Sequence, residues 1–170
     1  SSQTLDLANA SGRLAFQLKD YRNAKAHFEQ AKTVGLNMSD SFIFLAESNF
    51  QLNDIPSGLA AAEQAVKLEQ AAGRPIPSSW IDRVESVLYK AKMGEEMGKW
   101  ARLNVKNNPT KENWRNQMIN YWDTVRDKTP KQTDSTKLDD NGTLDMFRLL
   151  RHNKSLGGEA DYREFAELAL

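Results

Sequence analysis

Apolar residues recur every three to four positions along most of the chain, which is the spacing of amphipathic helices. The first such stripe covers residues 3–19 and ends at a break at Lys19–Asp20. A second stripe follows at once, and its members are Tyr21, Ala24, Phe28 and Ala31. Gly35 ends this second helix well. Two helices joined by so short a turn must lie antiparallel and face each other.

This pair of helices recurs along the sequence. One constant shift relates Gly12 to Ala46, Tyr21 to Ile55, Ala24 to Gly58, Phe28 to Ala62 and Ala31 to Ala65. At each position a small residue stays small or an apolar residue stays apolar. A fixed period of this length is typical of a helical repeat array.

The period is interrupted before the third pair of helices. Residues 74–77, Arg-Pro-Ile-Pro, form a stiff connector. Trp80 comes later after Phe42 than the period predicts, so the connector holds about four extra residues. The period then resumes, because Trp114 follows Trp80 by the same shift that relates Ala46 to Gly12. We expect both tryptophans to be substantially buried between consecutive pairs.

The pattern predicts an all-α protein without a sheet, built from about nine helices in a single domain over residues 1–170. The predicted parts are helix pairs at about 3–35, 39–73 and 78–108, a modified fourth pair at 110–153 with an exposed insertion at 127–138, and a closing helix at 159–169. An atypical last helix is what a stack of repeats needs to cover its open end.

The 34-residue helix–turn–helix period, with small residues at Gly12, Ala24 and Ala31, resembles the tetratricopeptide repeat. Tyr21 and Phe28 and the Trp80/Trp114 pair carry the same resemblance, which covers roughly two thirds of the chain. Residues 112–128 and 137–170 also look like the C-terminal half of bacterial envelope-type tetratricopeptide proteins with no assigned activity. The resemblance implies a right-handed α-solenoid of antiparallel helix pairs.

Two positions depart from the family pattern. The residue of the second pair that corresponds to Phe28 is the much smaller Ala62. In the third pair, Glu96 stands where a small residue is expected. Either the helix is displaced there, or the register is off by one residue and Met97 takes that place.

The resemblance implies that the concave groove, lined by the first helix of each pair, binds a peptide or another protein and does no chemistry. The residues expected to face the groove are Asn9, Arg13, Phe16, Ile43, Glu47, Phe50, Ile81, Glu85, Leu88, Arg115, Ile119 and Trp122. The alternative for the apolar members is that they form core between adjacent helices, since a stripe at helical spacing usually does. We expect no clamp for a terminal carboxylate, because Ile43 and Ile81 stand where polar donors are needed.

Composition excludes several partners. The 23 basic and 23 acidic residues cancel, which leaves no electrostatic footprint for nucleic acid. No apolar run approaches the roughly 18 residues of a spanning helix, so we expect no membrane insertion.

The chain has no cysteine, which removes disulfides and thiolate chemistry. Together with the missing initiator methionine and the family resemblance, this favours a periplasmic over a cytoplasmic location and leaves both open.

The residues predict no catalytic, cofactor or metal site. His27 and His152 have no partners at the spacing of a triad or metal pair, and no phosphate loop or H-E-x-x-H motif occurs. Residues 138–142 resemble a calcium loop, but Lys137 and Arg148 stand where carboxylates are required. We interpret Asp139, Asp140 or Asn141 as the cap of the helix that follows.

The expected function is therefore a non-catalytic scaffold that binds a protein or peptide. One alternative is a structural protein that forms a homo-oligomer by stacking through its open N-terminal end. The other is an enzyme built on an α-solenoid, for which the sequence offers no convergent cluster of titratable groups.

Overall fold

A computed structural model of the chain describes residues 2–110 and positions 112, 113, 116, 117, 120, 121 and 124. Its helices are α1 (Ser2–Gln17), α2 (Tyr21–Thr33), α3 (Ser39–Gln51), α4 (Ile55–Ala71), α5 (Ser78–Lys90) and α6 (Gly94–Asn107). The described positions between 112 and 124 are helical too, where the first helix of the fourth pair was predicted. No strand occurs in this described part, where the all-α prediction is confirmed. The insertion at 127–138, the second helix of the fourth pair and the closing helix lie outside it.

The chain divides into two compact units, Ser1–Trp80 and Ile81–Leu170. In the first unit, α1 packs against α2, α2 against α3, and α3 against α4. Helices that follow one another in sequence are therefore neighbours in space, as the short connections predict.

Each of the three described pairs turns through one residue with a positive φ angle. Lys19 and Asn53 both have a φ of 59°, and Lys92 has a φ of 56°. This left-handed conformation is uncommon for residues other than glycine. In the first two pairs, the next residue caps the second helix: Asp20 and Asp54 each accept a hydrogen bond from the backbone N–H three residues on, at 3.2 Å.

These turns fix the register of the repeat and correct the prediction at the connector. Lys19 and Asn53 are separated by the regular repeat period, whereas Lys92 comes five positions later than that period would place it. The connector thus inserts one residue more than the sequence pattern indicates. Ile81, and not Trp80, is consequently the residue that corresponds to Phe42.

Burial agrees with the corrected register. The equivalent buried residues of the first helices are Ala8, Phe42 and Ile81, then Gly12, Ala46 and Glu85, then Ala15, Asn49 and Leu88. Those of the second helices are Ala24, Gly58 and Met97, then Phe28, Ala62 and Ala101, then Ala31, Ala65 and Asn104. The structure therefore supports the interpretation that places Met97 at the small-residue position. Trp80 is only half-buried, and Trp114 lies outside the described residues.

The first two pairs place an aromatic ring against a glycine from opposite sides. In the first pair, a Cβ atom on Gly12 would lie 2.8 Å from Cδ1 of Phe28 on the second helix. In the second pair, a Cβ atom on Gly58 would collide with the ring of Phe50 on the first helix. The aromatic ring thus lies on the second helix in the first pair and on the first helix in the second pair. This is why the second pair can have Ala62 at the position of Phe28 while its helices still approach closely.

An ion pair fixes the end of α4 to the connector. The buried carboxylate of Glu69 accepts hydrogen bonds from Nε of Arg74 at 2.8 Å, from Nη2 of Arg74 at 2.9 Å, and from the hydroxyl of Ser39. The Arg74 guanidinium, followed by the Ser39 hydroxyl, lowers the pKa of Glu69 to about 2. This bidentate geometry links α3, α4 and the connector within the first unit.

Candidate functional site

In the first unit, Asn9 and Arg13, two polar residues predicted to face the groove, are linked through the hydroxyl of Ser41. Nη2 of Arg13 donates to Asp40 at 2.5 Å and to the hydroxyl of Ser41 at 3.2 Å, and its guanidinium lies 5.3 Å from the ring centroid of Phe44. The Ser41 hydroxyl in turn donates to Oδ1 of Asn9 at 2.7 Å. The structure thus brings Asn9 and Arg13 together, with their polar groups already engaged.

The aromatic residues predicted for the same face pack within the first unit. The ring centroid of Phe16 lies 4.7 Å from that of Phe44, and Phe16 is half-buried. Phe50 is buried against the backbone of Gly58. For these two rings the contacts agree with the core interpretation left open by the sequence.

The two remaining groove candidates of the first unit are half-buried. Glu47 accepts a hydrogen bond from Nε2 of Gln51 at 2.7 Å. Ile43 is half-buried as well and is the aliphatic candidate on this face. The first unit therefore presents a face whose described polar groups are largely paired internally.

In the second unit, the corrected register moves the open face of α5 by one residue. Ile81 and Leu88 have no exposed surface, so their side chains are core in the free chain. Asp82, Ser86 and Tyr89 instead line an open cavity of about 350 Å³. In the corrected register, Asp82 is equivalent to Asn9 and Ile43. Ser86 is equivalent to Arg13 and Glu47, and Tyr89 to Phe16 and Phe50.

A buried carboxyl forms one wall of this cavity. Glu85 is only 5% exposed, and the cavity lining also includes Met97, Gln117 and Asn120. Ile81, Glu85 and Leu88 were the α5 residues predicted to face the groove, and of these three Glu85 lines an open cavity. We call the cavity and its lining the Glu85 pocket.

Two amide side chains hold the Glu85 carboxyl. Nδ2 of Asn104 donates to Oε1 of Glu85 at 3.3 Å. With its amide nitrogen turned toward Glu85, the orientation that satisfies its neighbours, Nε2 of Gln117 donates to the two carboxyl oxygens at 2.6 and 3.0 Å. Its oxygen then accepts from Nδ2 of Asn104 at 3.0 Å. The three side chains form a closed ring of hydrogen bonds.

Asn113 supports this ring from outside. Its Nδ2 donates to Oδ1 of Asn104 at 3.1 Å and to the backbone oxygen of Asn108 at 2.9 Å. The amide of Asn104 is therefore held with its nitrogen toward Glu85, because its oxygen is occupied by Asn113. Such a fully connected network specifies one arrangement of a buried polar site.

Burial raises the pKa of the Glu85 carboxyl to about 7. The negative charge of Asp82 acts in the same direction, while the hydrogen bonds from Asn104 and Gln117 lower it. The neutral amides thus compensate the lost hydration only in part. A buried carboxyl of this kind, in an open cavity, is a candidate binding group for a positively charged ligand.

Arg115, Ile119 and Trp122, predicted to face the groove from the fourth pair, lie outside the described residues. Within the described ranges, no group of three or more His, Cys, Asp or Glu side chains is arranged to hold a metal ion. No helix in those ranges has the length and apolar character needed to cross a membrane.

Sequence reasoning did not single out Asn104, Asn113 or Gln117. The signal that could have found them is the departure of the third pair from the repeat, since Glu85 and Asn104 stand where the first pair has Gly12 and Ala31. Two polar residues at two buried repeat positions of one pair suggest a mutual contact.

Comparison with known proteins does not assign the chain to a family. A scan against protein-family models found no match, and a search of curated proteins gave no significant match.

Proposed function

We propose that this protein is a non-catalytic scaffold of the tetratricopeptide type, a right-handed solenoid of helix pairs that binds a peptide or another protein along its first helices. The observation that carries the proposal is the Glu85 pocket. It opens on the face of α5 whose equivalents in the first two pairs are the predicted groove residues. A concave site with a few convergent polar groups is the usual form of a binding site.

The recurrence of the backbone supports the scaffold. Three pairs share a turn residue with positive φ and the same pattern of buried positions. In such arrays each repeat contacts its neighbours and the loops and groove faces are left for partners. A peptide side chain on the open face of α5 would meet the carboxyls of Asp82 and Glu85 and the ring of Tyr89.

A displayed library of random peptides, selected on the full chain, tests the proposal. Enriched peptides should lose about tenfold or more in affinity on Ser86→Trp, which fills the pocket, corresponding to roughly 1.4 kcal/mol. Glu63→Trp, on an exposed position of α4, is the matched control and should leave affinity unchanged. Recovery of no peptide whose binding depends on Ser86 would contradict this site.

A second candidate function is self-association through α1. Leu7 and Leu14 on α1 and Leu18 in the turn directly after it are 70, 59 and 71% exposed, an unusual concentration of exposed leucines in one short segment. Their counterparts at the first two positions in α3 are Ser41 and Ser48, which are fully buried within the first unit. This face of α1 thus corresponds to one that the preceding helix pair covers in α3.

Sedimentation velocity over a range of concentrations tests this second candidate. The double variant Leu7→Ser/Leu14→Ser copies the residues of α3 and should abolish any concentration-dependent dimer. Leu52→Ser, which removes an exposed leucine from another part of the chain, is the control and should leave it intact. A monomer at all concentrations of the unaltered chain would discard self-association.

A further inference from the structure

The fold itself does not require a carboxyl at position 85. The equivalent residues of the first two pairs are Gly12 and Ala46, both buried and both small. A buried carboxyl at such a place lowers stability unless it is well paired. Residues that break a local rule without a packing benefit are characteristic of functional sites.

We infer that the Glu85 pocket receives a lysine or arginine side chain of the bound partner, which pairs with the carboxylates of Glu85 and Asp82. The inference rests on the proposed scaffold function and names the chemistry its pocket selects. Asp82 and Glu85 are three residues apart on α5, so their side chains lie on one face of the helix. Asp82 is exposed at the mouth, whereas Glu85 is buried in the wall.

The hydrogen bonds of Glu85 leave room for a further donor. An ionised carboxylate offers about four acceptor positions. Asn104 and Gln117 supply three hydrogen bonds, of which the one from Asn104 is long at 3.3 Å. Both donors are neutral amides, so the carboxylate has no positive partner among them. An ammonium or guanidinium group in the pocket would provide the missing charge.

The rim of the pocket is suited to the same kind of group. Tyr89 is 42% exposed and lines the cavity. The ammonium nitrogen of Lys92 lies 5.2 Å from its ring centroid, which shows that a face of this ring accepts a cation. The aliphatic stem of a lysine or arginine would lie against the ring and Met97.

The described residues around Glu85 carry charge on α5 only. Asp82 is the charged neighbour on that helix, and Lys92 contacts the ring of Tyr89 at the rim. The neighbours on α6, Asn104 and Met97, are neutral, and so are Gln117 and Asn120 among the described positions after 110. A bound cation therefore favours the ionised form of Glu85, and binding releases its proton.

The probes are three Nα-acetyl, N-methylamide amino acids: those of lysine, arginine and uncharged norleucine. Each is titrated into the full chain at pH 8 and pH 5.5, and the side-chain amide signals of Asn104 and Gln117 are followed by NMR. The lysine or arginine compound should shift these signals at pH 8 with a dissociation constant on the order of 1–10 mM. Below the pKa of Glu85, affinity should fall roughly tenfold per pH unit. The norleucine compound should leave the signals unmoved.

Variants make the outcome decisive. Glu85→Gln keeps the shape of the side chain and should weaken cation binding about tenfold or more at pH 8. Glu95→Gln removes a carboxylate of α6 outside the pocket lining and should not change it. Equal binding of norleucine, insensitivity to Glu85→Gln, or no response to either cation would overturn the inference. Library peptides without basic residues that still depend on Ser86 would overturn it while leaving the scaffold function standing.

Discussion

Gly12 and Phe28 meet so closely at the contact between α1 and α2 that a Cβ atom on Gly12 would lie 2.8 Å from Cδ1 of the ring. Real Cβ atoms do not tolerate this distance, so Phe28 must shift if Gly12 is replaced. Helix propensity works in the opposite direction, because alanine is favoured over glycine in a helix by about 1 kcal/mol. The sign of the change in unfolding free energy on Gly12→Ala therefore shows whether Gly12 and Phe28 are in this close contact.

We predict that Gly12→Ala lowers the free energy of unfolding by about 1–3 kcal/mol, because the overpacked ring and backbone must move. In a Phe28→Leu background the same substitution should become neutral or stabilising. Urea denaturation of the four proteins of this double-mutant cycle measures the coupling. Stabilisation by Gly12→Ala in the unaltered chain would show that the helices are not in this close contact.

The corrected register predicts a large loss of stability at one residue and a small change at the residue next to it. Ile81→Ala empties a fully buried site and should lower the free energy of unfolding by about 2–5 kcal/mol. Asp82→Ala, at an exposed position, should change it by less than about 1 kcal/mol. Chemical denaturation of both variants is the measurement. If both substitutions change the free energy of unfolding by the same small amount, the register in which Ile81 faces the groove would be the right one.

The stability of the free chain should fall as the pH rises through the titration of Glu85. Its pKa is raised by burial from 4.5 in the unfolded state to about 7 in the folded state. The folded state therefore binds this proton more tightly, so there is no penalty below pH 4.5 and a growing penalty between pH 4.5 and 7.

Glu85→Gln should remove that penalty. At pH 8 the variant should be more stable than the unaltered chain by on the order of 3 kcal/mol. At pH 4 the two proteins should be nearly equal. Urea titrations at pH 4, 6 and 8 follow the difference. A difference that is the same at all three values would mean that Glu85 is not the group responsible.

The ion pair of Glu69 with Arg74 should give the opposite dependence on pH. The pKa of Glu69 is lowered from 4.5 to about 2 by Arg74 and Ser39. Its contribution is present above pH 4.5 and is lost as the pH falls toward 2. Glu69→Gln should lower Tm at pH 7 and leave Tm little changed near pH 2.

Circular dichroism melts between pH 2 and 7 measure this effect. Arg74→Met keeps the aliphatic stem and removes the guanidinium, so it should lower Tm at pH 7 in the same way as Glu69→Gln. A variant pair that differs from the unaltered chain by the same amount at every pH would point to lost packing instead of the ion pair.

The local features of this protein were predictable from its sequence, and the register across the connector was not. The sequence pattern placed the start of the third pair at about residue 78, and α5 begins at Ser78. The regular spacing of Trp80 and Trp114 then favoured a register one residue away from the observed one. The turn could have corrected this, but Lys92 is followed by Met93, which has no capping side chain like that of Asp20.

The Glu85 pocket could be predicted only in part. Glu85 was assigned to the groove through the alignment that the family resemblance implies, whereas in the corrected register it takes the buried position of Gly12 and Ala46. Its partners could not be assigned in this way, because Asn104 lies on α6 and Gln117 lies in the helical positions after it. Contacts between residues of different helices depend on how those helices pack, which no local pattern specifies.

The three turns have a consequence for binding. Lys19, Asn53 and Lys92 reverse the chain at positive φ without a glycine, so a side chain restricts the backbone at each turn. Where the two helices of a pair meet at a conformationally restricted turn, their relative orientation has little freedom to vary. Under the proposed scaffold function, a partner would meet helix pairs that are already preorganised, so less conformational entropy would be lost on binding.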